Sequence, residues 1–508
     1  MNFSTKASLV AAAVASVLGT SAYALNPTQT AAIPATQTFF AGGGSAQVNA
    51  ALVAVSSLLN SVDYYTDSTT GGNSASFLIL SGTLKASLGT LGAGTPILFE
   101  YRFTGGSFPN GGLPQIGSGA TLAYPTQASL GLATATTNSF PLPTYAYAAN
   151  TGATGTPDFG LTDTELALFN YTDNLNGTPQ QSSTAISAVQ QDGIYNDVEG
   201  VAVTNALYAV KSNFSKAEVE GILAGSITDW SQLFGDNGQP LSDPSGQSGV
   251  FLLDRGSGSG TKAAGNQYFL DYPGGKTSAD TGAQDPGSFT NGYSGAGTGG
   301  ALLLTGGYQD VKEGSSGAIV TDLQNANAAG KYAIAILATE FPPALNQVGG
   351  VNQYSFAKIN GIGIDTGYDS TATPSPITGQ YHDNINDPNG KDSSSHNYGT
   401  SYTNVVNGTY DFFYQNSFNT KKGFLSGTSN NALWATSIKV VLNKATIASV
   451  NSGNAFPSSV PGLVLDPIIV GSQAKGTTLY SRSKVSTAPL QPIYDATNGA
   501  ITYGFDPL

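Results

Sequence analysis

The hydrophobic pattern of the chain repeats one local arrangement: a short apolar run, a turn rich in glycine and hydroxyl residues, and a helical segment. The clearest copy is residues 250–272, where Val-Phe-Leu-Leu predicts a strand and the apolar spacing after Thr261 predicts a helix. The sequence Gly-Ser-Gly-Ser-Gly-Thr lies between them, and Ser259 or Thr261 is placed to cap the helix.

The turn in residues 250–272 has the composition of an anion-binding site. Backbone N–H groups without partners and the positive end of a helix dipole point at one spot in such a turn. Arg255 adds a guanidinium, a group that can bind an oxyanion through two parallel hydrogen bonds. On these residues alone, the alternative is a flexible Gly/Ser loop in which Asp254 and Arg255 pair on the surface.

Two similar units occur nearer the N-terminus. Gly44, Ser45 and Ala46 follow an apolar run and precede residues 48–62, whose apolar positions have helical spacing. Gly106 and Ser107 follow a predicted strand at residues 96–102. An ordinary tight turn is the alternative at each of these positions.

A fourth unit, residues 157–171, contains a helix-start signal. Thr162 and Glu165 stand three residues apart before an apolar run, which is the spacing of a capping box, and it predicts a helix here. Asp163 would lie in the first turn of that helix, where a carboxylate is favourable for the dipole.

The rest of the pattern predicts an alternation of strands and helices. Ser215 and Glu218 form a second capping box before an apolar helix, and Trp230 is expected to anchor a core. Further strands or core segments are predicted at residues 200–210, 317–323, 332–340 and 354–365, and a helix at residues 431–442.

Composition excludes several function classes. Only 10% of the 508 residues are charged, and the formal net charge is −13. Nucleic-acid binding and attraction to anionic membrane surfaces need clustered Lys and Arg, which this chain lacks. A deep oxyanion site is still compatible with this charge, because neutral N–H and hydroxyl donors can build it.

The N-terminus has the pattern of an export signal. Lys6 precedes an apolar run at residues 7–18, and Ala22-Tyr23-Ala24 predicts cleavage after Ala24, with residues 1–24 as the signal peptide. The chain contains no cysteine, which excludes disulfides and a lipid-attachment cysteine. We expect a periplasmic or secreted protein without membrane insertion after signal cleavage.

The order of these units resembles the PstS-like family of phosphate-binding proteins, in the type 2 periplasmic binding protein superfamily. Residues 255–261 are similar to its R-x-D-G-S-G-T loop, residues 42–46 to G-A-G-A-(T/S), and residues 158–163 to D-F-G-(A/S)-S-D. Residues 222–230, with Trp230, match the family segment where the chain crosses to the second lobe.

The resemblance implies an α/β protein with the two-lobed type 2 periplasmic binding protein fold, with mixed sheets flanked by helices and a ligand cleft between the lobes. The first lobe would comprise residues 25–204 and the second residues 205–345. Residues 346–508 would return to the first lobe, with a polar insert at about 366–405 and a C-terminal extension.

The resemblance also implies a set of ligand-binding residues. In the family the Asp at position 163 accepts a hydrogen bond from the proton of hydrogen phosphate, which sulfate does not offer. Ser257 stands where the family has an Asp that pairs with the Arg, and Asp254 is expected to substitute for it. The implied ligand-binding residues are Gly44, Ser45, Ala46, Gly106, Ser107, Thr162, Asp163, Arg255, Ser257, Ser259, Gly260 and Thr261.

The expected function is that of a monomeric, non-enzymatic solute-binding protein for phosphate or a related oxyanion. Its role would be uptake, with an ABC permease as partner, or scavenging. No cofactor and no metal are expected. The alternative is a secreted or cell-surface structural protein that retains the fold without tight anion binding. An extracellular hydrolase is less favoured, because both histidines, His382 and His396, lie in the polar insert. Residues 383–392 resemble a calcium loop but lack EF-hand spacing.

Overall fold

The architecture is taken from a computed structural model of the chain. It describes residues 25–67, 76–104, 106–111, 116–136, 142–148, 151–164, 166–170, 174, 188–270, 272, 307–341, 343, 348–349, 351–364, 404, 410–452, 463–464, 491–495 and 500–504. Residues 274–307 are rich in Gly, Ser and Thr, which predicts a loop. This stretch and the polar insert at 366–405, with both histidines, lie outside the described residues apart from Gly307 and Asn404. Residues 1–24 also lie outside them.

The first lobe is a mixed sheet with helices on its faces. Its helices are α1 Pro27–Ala31, α2 Val48–Leu58, α3 Ser107–Gly111 and α4 Gln127–Gly131, and α9 Asn430–Ser452 packs on α2. Its main strands are β1 Thr38–Gly43, β2 Leu59–Asp67, β3 Phe77–Leu84, β4 Pro96–Arg102, β6 Thr134–Thr136, β7 Thr144–Tyr147, β9 Phe159–Thr162 and β16 Phe413–Lys421. The short strands β5 Leu122–Tyr124 and β8 Ala153–Gly155 form a separate pair.

The second lobe is a smaller α/β unit. Its helices are α5 Asn205–Tyr208, α6 Lys216–Leu223, α7 Gly260–Leu270 and α8 Ser316–Ala328. Its strands are β11 Asn213–Phe214, β12 Phe251–Arg255, β13 Gln309–Glu313, β14 Ile334–Ala338 and β15 Tyr354–Ile359. The short strands β17 Leu463–Val464, β18 Gln491–Asp495 and β19 Ala500–Gly504 follow towards the C-terminus.

One long strand, β10 Val189–Thr204, joins the two lobes. Its first part pairs antiparallel with β16 of the first lobe, from Val189 to Val198. Its second part pairs antiparallel with β14 and β15 of the second lobe. Side chains along β10 therefore stand where the two sheets meet, and the chain has the two-lobed α/β fold that was predicted.

Hydrophobic clusters support both lobes, and the one that contains Trp230 extends into the first lobe through Phe108 of α3. Trp434 of α9 stacks on Phe39 of β1, at 4.8 Å between ring centroids, in the first lobe. Trp230 is buried in the second lobe and meets Tyr332 edge to face at 5.8 Å. Trp230 is thus the core residue that the sequence predicted, since burial and an aromatic neighbour fix it away from solvent.

Parallel pairing places the carboxyl ends of neighbouring strands at the same edge of each sheet. In the first lobe β1 runs parallel to β4 and β9, so the turns after Gly43, Arg102 and Thr162 leave one edge of the sheet. In the second lobe β12 runs parallel to β13 and β14. The crevice outside the carboxyl ends of such strands is the usual ligand position in open α/β sheets.

Several predicted elements differ in the structure. The helix predicted for residues 48–62 ends at Leu58, because β2 begins at Leu59 and pairs with β3. The strand or core segment predicted at residues 317–323 is a buried part of the helix α8, which the Ser315 side chain caps by accepting from the Ala318 amide. The predicted strand at residues 200–210 ends at Thr204, where α5 follows.

Residues 157–171 form a strand and a turn of 3₁₀ helix in place of the predicted α-helix. β9 extends to Thr162, and the 3₁₀ segment is Leu166–Asn170. The Thr162 hydroxyl donates to the Thr164 carbonyl at 2.7 Å and so does not cap a helix. Glu165, the second member of the predicted capping box, lies outside the described residues. Pairing of β9 with β1 and β16 outweighs the local helix signal.

Two further helix predictions are confirmed. Ser215 and Glu218 form the reciprocal capping box of α6, in which each side chain accepts from the other residue's backbone amide. The helix predicted for residues 431–442 lies within α9. Among the described residues, no helix is long and apolar enough to cross a membrane.

Candidate functional site

The turns at the carboxyl ends of the first-lobe strands converge on Asp163. The Asp163 backbone N–H donates to the Ser107 hydroxyl at 3.5 Å, and the Gly44 carbonyl accepts from the Tyr101 hydroxyl at 2.8 Å. A Cβ atom added to Gly44 would come within 2.4 Å of both the Asp163 carboxylate and the Ser107 hydroxyl. The first and second Gly/Ser turns therefore lie directly against the Asp after β9.

A buried amide holds the Asp163 carboxylate in place. The Gln47 side chain donates from Nε2 to Asp163 Oδ1 at 2.8 Å. Its carbonyl oxygen accepts from the Tyr195 hydroxyl of β10 and from Asn416 of β16, the latter at 3.1 Å. Because both ends of Gln47 are used, its orientation is fixed, and it points the amide nitrogen at the carboxylate.

The second lobe supplies the strand, turn and helix start that the sequence predicted. Arg255 is the last residue of β12, α7 begins at Gly260, and the Lys262 amide donates to the Ser259 hydroxyl at 3.4 Å. Arg255 is buried, and its guanidinium donates to the Ser316 hydroxyl at 2.6 Å and to the Gly314 carbonyl at 3.2 Å. Ser259 is thus the residue that caps α7.

The two lobes touch at this site. The Phe108 amide of α3 donates to the Gly258 carbonyl at 3.1 Å, across the boundary between the lobes. A Cβ atom on Gly260 would lie 2.4 Å from Asp163 Oδ2, so only glycine lets the start of α7 approach this close. Asp163 is consequently enclosed by first-lobe turns on one side and by the α7 N-terminus on the other.

Buried donors in this region lack partners among the described residues. They include the Ser45 hydroxyl and the Nε–H of Arg255. Buried donors are nearly always hydrogen-bonded in folded proteins, because an unmet donor costs about 1–3 kcal/mol. Their presence beside a helix N-terminus indicates a place where a bound oxygen-rich group would complete the hydrogen bonding.

Three further carboxyl groups surround Asp163 and Arg255. Asp197 and Glu199 lie on one face of β10, two residues apart. Glu199 stands opposite Ala338, and the Thr339 amide donates to the Val198 carbonyl at 2.8 Å. Glu340, in the turn after β14, therefore lies near Asp197. Both oxygens of Asp197 and of Glu340 lack hydrogen-bond partners within the described part of the chain.

Burial raises the pKa values of these carboxyl groups. Desolvation, then the neighbouring Asp163 charge, raise the pKa of Glu199 to about 8. Desolvation is also the main reason that the pKa values of Asp197 and Glu340 lie well above their ordinary values. The pKa of Asp163 is raised by burial, although hydrogen bonds from Gln47 and Ser107 and the charge of Arg255 oppose the rise.

The other predicted residues occupy varied positions. Thr162 is buried between β9 and β16, where its hydroxyl accepts from the Asn419 amide at 3.0 Å. Ala46 is buried in the 3₁₀ turn before α2. Gly106 has a φ of 97° and lies against the Gly258 carbonyl. Thr261 contributes its backbone amide to Asp163, and Ser257 is half-buried in the turn before α7.

Asp254 does not take over the role of the family's Asp. Its carboxylate forms ion pairs with Lys262 and Lys312, which hold its pKa well below the ordinary value against the effect of burial. It also accepts from the Arg255 backbone amide at 2.8 Å, while the Arg255 guanidinium bonds to Ser316 and Gly314. Alternation along β12 points the two side chains to opposite faces, which explains why the prediction was wrong. The surface Asp254–Arg255 pair is excluded for the same reason.

Four residues of this region were not among the binding residues that the sequence implied: Gln47, Asp197, Glu199 and Glu340. Gln47 directly follows the first Gly/Ser turn, and its proximity to that turn was the available signal. Glu340 lies inside the strand or core segment predicted at residues 332–340, where a charged residue is unusual. Asp197 and Glu199 precede the segment predicted at residues 200–210, so they carried no such signal. In the described ranges, no group of three or more His, Cys, Asp or Glu is arranged to hold a metal ion.

Comparison with known proteins finds similar solved structures but no matching family or curated sequence. No family model matches the chain, and no curated protein matches it. The phosphate-binding protein from Stenotrophomonas maltophilia is 14% identical with a TM-score of 0.30, covering 84% of this chain and 98% of that one. PstS from Borrelia burgdorferi is 9% identical with a TM-score of 0.30, covering 78% and 92%. An ABC-type phosphate transport receptor from Vibrio cholerae is 12% identical with a TM-score of 0.29, covering 59% and 81%.

Proposed function

We propose that this chain is an exported, non-enzymatic solute-binding protein that takes phosphate or a related oxyanion between its two lobes. The observation that carries the proposal is the convergence on Asp163. The Gly44 turn of the first lobe and the Gly260 start of α7 in the second lobe lie directly against this carboxyl group, and the Asp163 amide donates to the Ser107 hydroxyl. Uptake with an ABC permease, or scavenging, is the role we propose for such binding.

The donors around Asp163 suit an oxyanion. The buried Ser45 hydroxyl and the Arg255 Nε–H have no partner among the described residues and are available to donate to a ligand oxygen. α7 has 11 residues, long enough for its dipole to favour an anion at the Gly260 end. Hydrogen bonds to a charged ligand in a buried site are stronger than neutral ones.

The carboxyl groups select among oxyanions. A carboxylate at Asp163 accepts the proton of hydrogen phosphate, which sulfate lacks at neutral pH. Asp197, Glu199 and Glu340 would repel any anion if they were ionised, but burial raises the pKa of all three, to about 8 for Glu199, and so favours their neutral forms. We therefore propose that the bound anion is a protonated one and that binding weakens as these groups ionise.

A second function has one observation in its favour. The Arg255 guanidinium already bonds to Ser316 and Gly314, and Ser257 replaces the Asp expected there. A secreted or cell-surface structural protein that keeps the fold without tight anion binding would show the same contacts. We prefer the binding function because Ser45 and Arg255 keep buried donors without protein partners in the described chain.

The test compares two arginine variants. Arg255→Ala removes the buried guanidinium, and we expect phosphate affinity to fall by about 30-fold or more, since losing one side of a buried charged hydrogen bond costs about 2–5 kcal/mol. Arg102→Ala is the control, because Arg102 bonds to the Ala123 carbonyl, away from Asp163. Equal phosphate affinity in the wild type and both variants would favour the structural alternative.

A further inference from the structure

The inference concerns the first described residue, Leu25, and a buried acid that has no counter-ion among the described residues. Asp63 lies on β2 and is fully buried. Neither of its oxygens has a hydrogen-bond partner within the described residues, and none of the ion pairs found there includes it. Burying a carboxylate without a partner is so costly that the group normally stays protonated, and desolvation raises the pKa of Asp63 to about 8.

The chain segment after Leu25 is fixed onto the strands beside Asp63. Leu25 is buried in a hydrophobic cluster with Tyr65 and Ile79. Thr30 of α1 bonds to the Ser81 hydroxyl at 2.9 Å and accepts from the Tyr65 hydroxyl at 2.8 Å. Asn26 caps α1 with a reciprocal capping box. Leu25 is therefore held against β2 and β3 by packing and hydrogen bonds on its C-terminal side.

This arrangement places Leu25 beside the part of β2 that carries Asp63. Asp63 stands opposite Ser81 in the β2–β3 register, the same Ser81 that α1 contacts. The Leu25 backbone nitrogen approaches closely enough to lower the pKa of Asp63, although it falls short of a formed hydrogen bond. An amide nitrogen is a weak partner for a buried carboxylate, whereas a charged ammonium at the same position would be a strong one.

We infer that the α-ammonium group of Leu25, created by removal of the export signal, is the counter-ion of Asp63. A signal-peptidase-class hydrolase would cleave the Ala24–Leu25 bond: water gives its oxygen to the Ala24 carbonyl carbon, and the Leu25 nitrogen takes up protons to become an ammonium ion. The residue at the predicted cleavage point is the one whose nitrogen meets the buried acid. Removal of the signal then gives the buried Asp63 carboxylate a positively charged partner.

The ion pair changes the charge state of both groups. The hydroxyls of Tyr65 and Tyr145 also face Asp63, and the pKa of each is raised, first by burial, so both stay neutral. Without cleavage Asp63 is neutral below about pH 8, and the first lobe loses stability as pH rises through that value. With cleavage Asp63 is ionised, and the ammonium stays charged above its ordinary pKa of about 7.7–8.0.

The experiment is a double-mutant cycle on the whole chain. A protein that starts at Leu25 is compared with one that starts at Ala24, each as the wild type and as the Asp63→Asn variant. We expect the extra residue to lower the melting temperature by about 2 °C or more in the wild-type background, and by much less in the Asp63→Asn background. An equal effect of the extension in both backgrounds would overturn the inference.

A second measurement needs only the wild-type chain that starts at Leu25, in case Asp63→Asn does not fold. Reductive methylation with ¹³C-formaldehyde labels the α-amino group, and NMR follows its titration. We expect a pKa well above about 8 for this group. An ordinary value near about 7.7 would contradict the ion pair.

Discussion

Asp163 owes its position to glycines on both of its sides. Gly44 and Gly260 belong to different lobes, and a side chain at either would collide with the carboxylate at 2.4 Å. Collisions at this distance force the neighbouring group to move, because folded interiors are close-packed. The two glycines thus set how closely the lobes approach the same acid.

Gly260→Ala adds one methyl group and so tests the close approach of Gly260 to the Asp163 carboxylate. We expect the phosphate affinity to fall by about 10-fold or more, because overpacking costs about 1–3 kcal/mol and here displaces Asp163. Gly256→Ala is the matched control four residues away, since its new Cβ would meet only the Glu313 carbonyl, at an ordinary 3.6 Å. Calorimetric titration of both variants measures the difference. Similar losses in the two would contradict a specific role for Gly260.

The sequence allowed prediction of the turn residues but not of their buried neighbours. Gly44, Ser107, Asp163 and Gly260 follow strand ends, and the structure brings them together as a local pattern suggested. Asp197 and Glu340 were missed because they meet through the β10–β14 register, which is a non-local pairing. Local spacing specifies which residues end a strand, whereas only the assembled sheet decides which strands adjoin.

At the scale of elements, capping signals were reliable where no strand competed with them. α6 begins at its Ser215–Glu218 capping box as predicted, because the segment before it has only the two-residue strand β11. The Thr162 signal failed because Thr162 pairs in register with Ser417 of β16. α8 was missed because apolar residues 318–320 form a run that also suits a buried strand.

Ser215→Ala measures the contribution of the α6 capping box. We expect the free energy of unfolding to fall by about 1 kcal/mol, since the Glu218 backbone amide loses its acceptor at 3.1 Å. Ser215→Thr keeps a hydroxyl acceptor and should remain within a few tenths of a kcal/mol of the wild type. Urea unfolding gives both values. An unchanged midpoint in Ser215→Ala would show that tertiary packing alone holds the helix start.

At the scale of the whole molecule, β10 links the lobes and places acids near Asp163. Glu199 on this strand has its pKa raised to about 8, chiefly by desolvation. Below that pH the group is neutral in the folded protein, and above it the group is ionised and repels an anion. The strand that links the two lobes therefore also carries a titrating group close to the proposed anion site.

The affinity for phosphate should depend on pH in a way that Glu199→Gln changes. We expect wild-type affinity to weaken between about pH 7 and pH 9, around the raised pKa of about 8, and the glutamine variant to weaken less over the same range. The comparison between variants cancels the protonation of phosphate itself, which is common to both. Binding isotherms at several pH values measure the difference. Parallel pH profiles would contradict the placement of Glu199 near the anion.

The most direct measurement is a calorimetric titration of the chain that starts at Leu25, dialysed free of anions, with phosphate and then with sulfate. We expect phosphate to bind with a dissociation constant of about 1 μM or below, and sulfate to give no binding heat. Asp163→Asn, which keeps the size of the side chain, should weaken phosphate binding. If neither anion gives heat with the wild-type protein, the convergence on Asp163 does not form an oxyanion site.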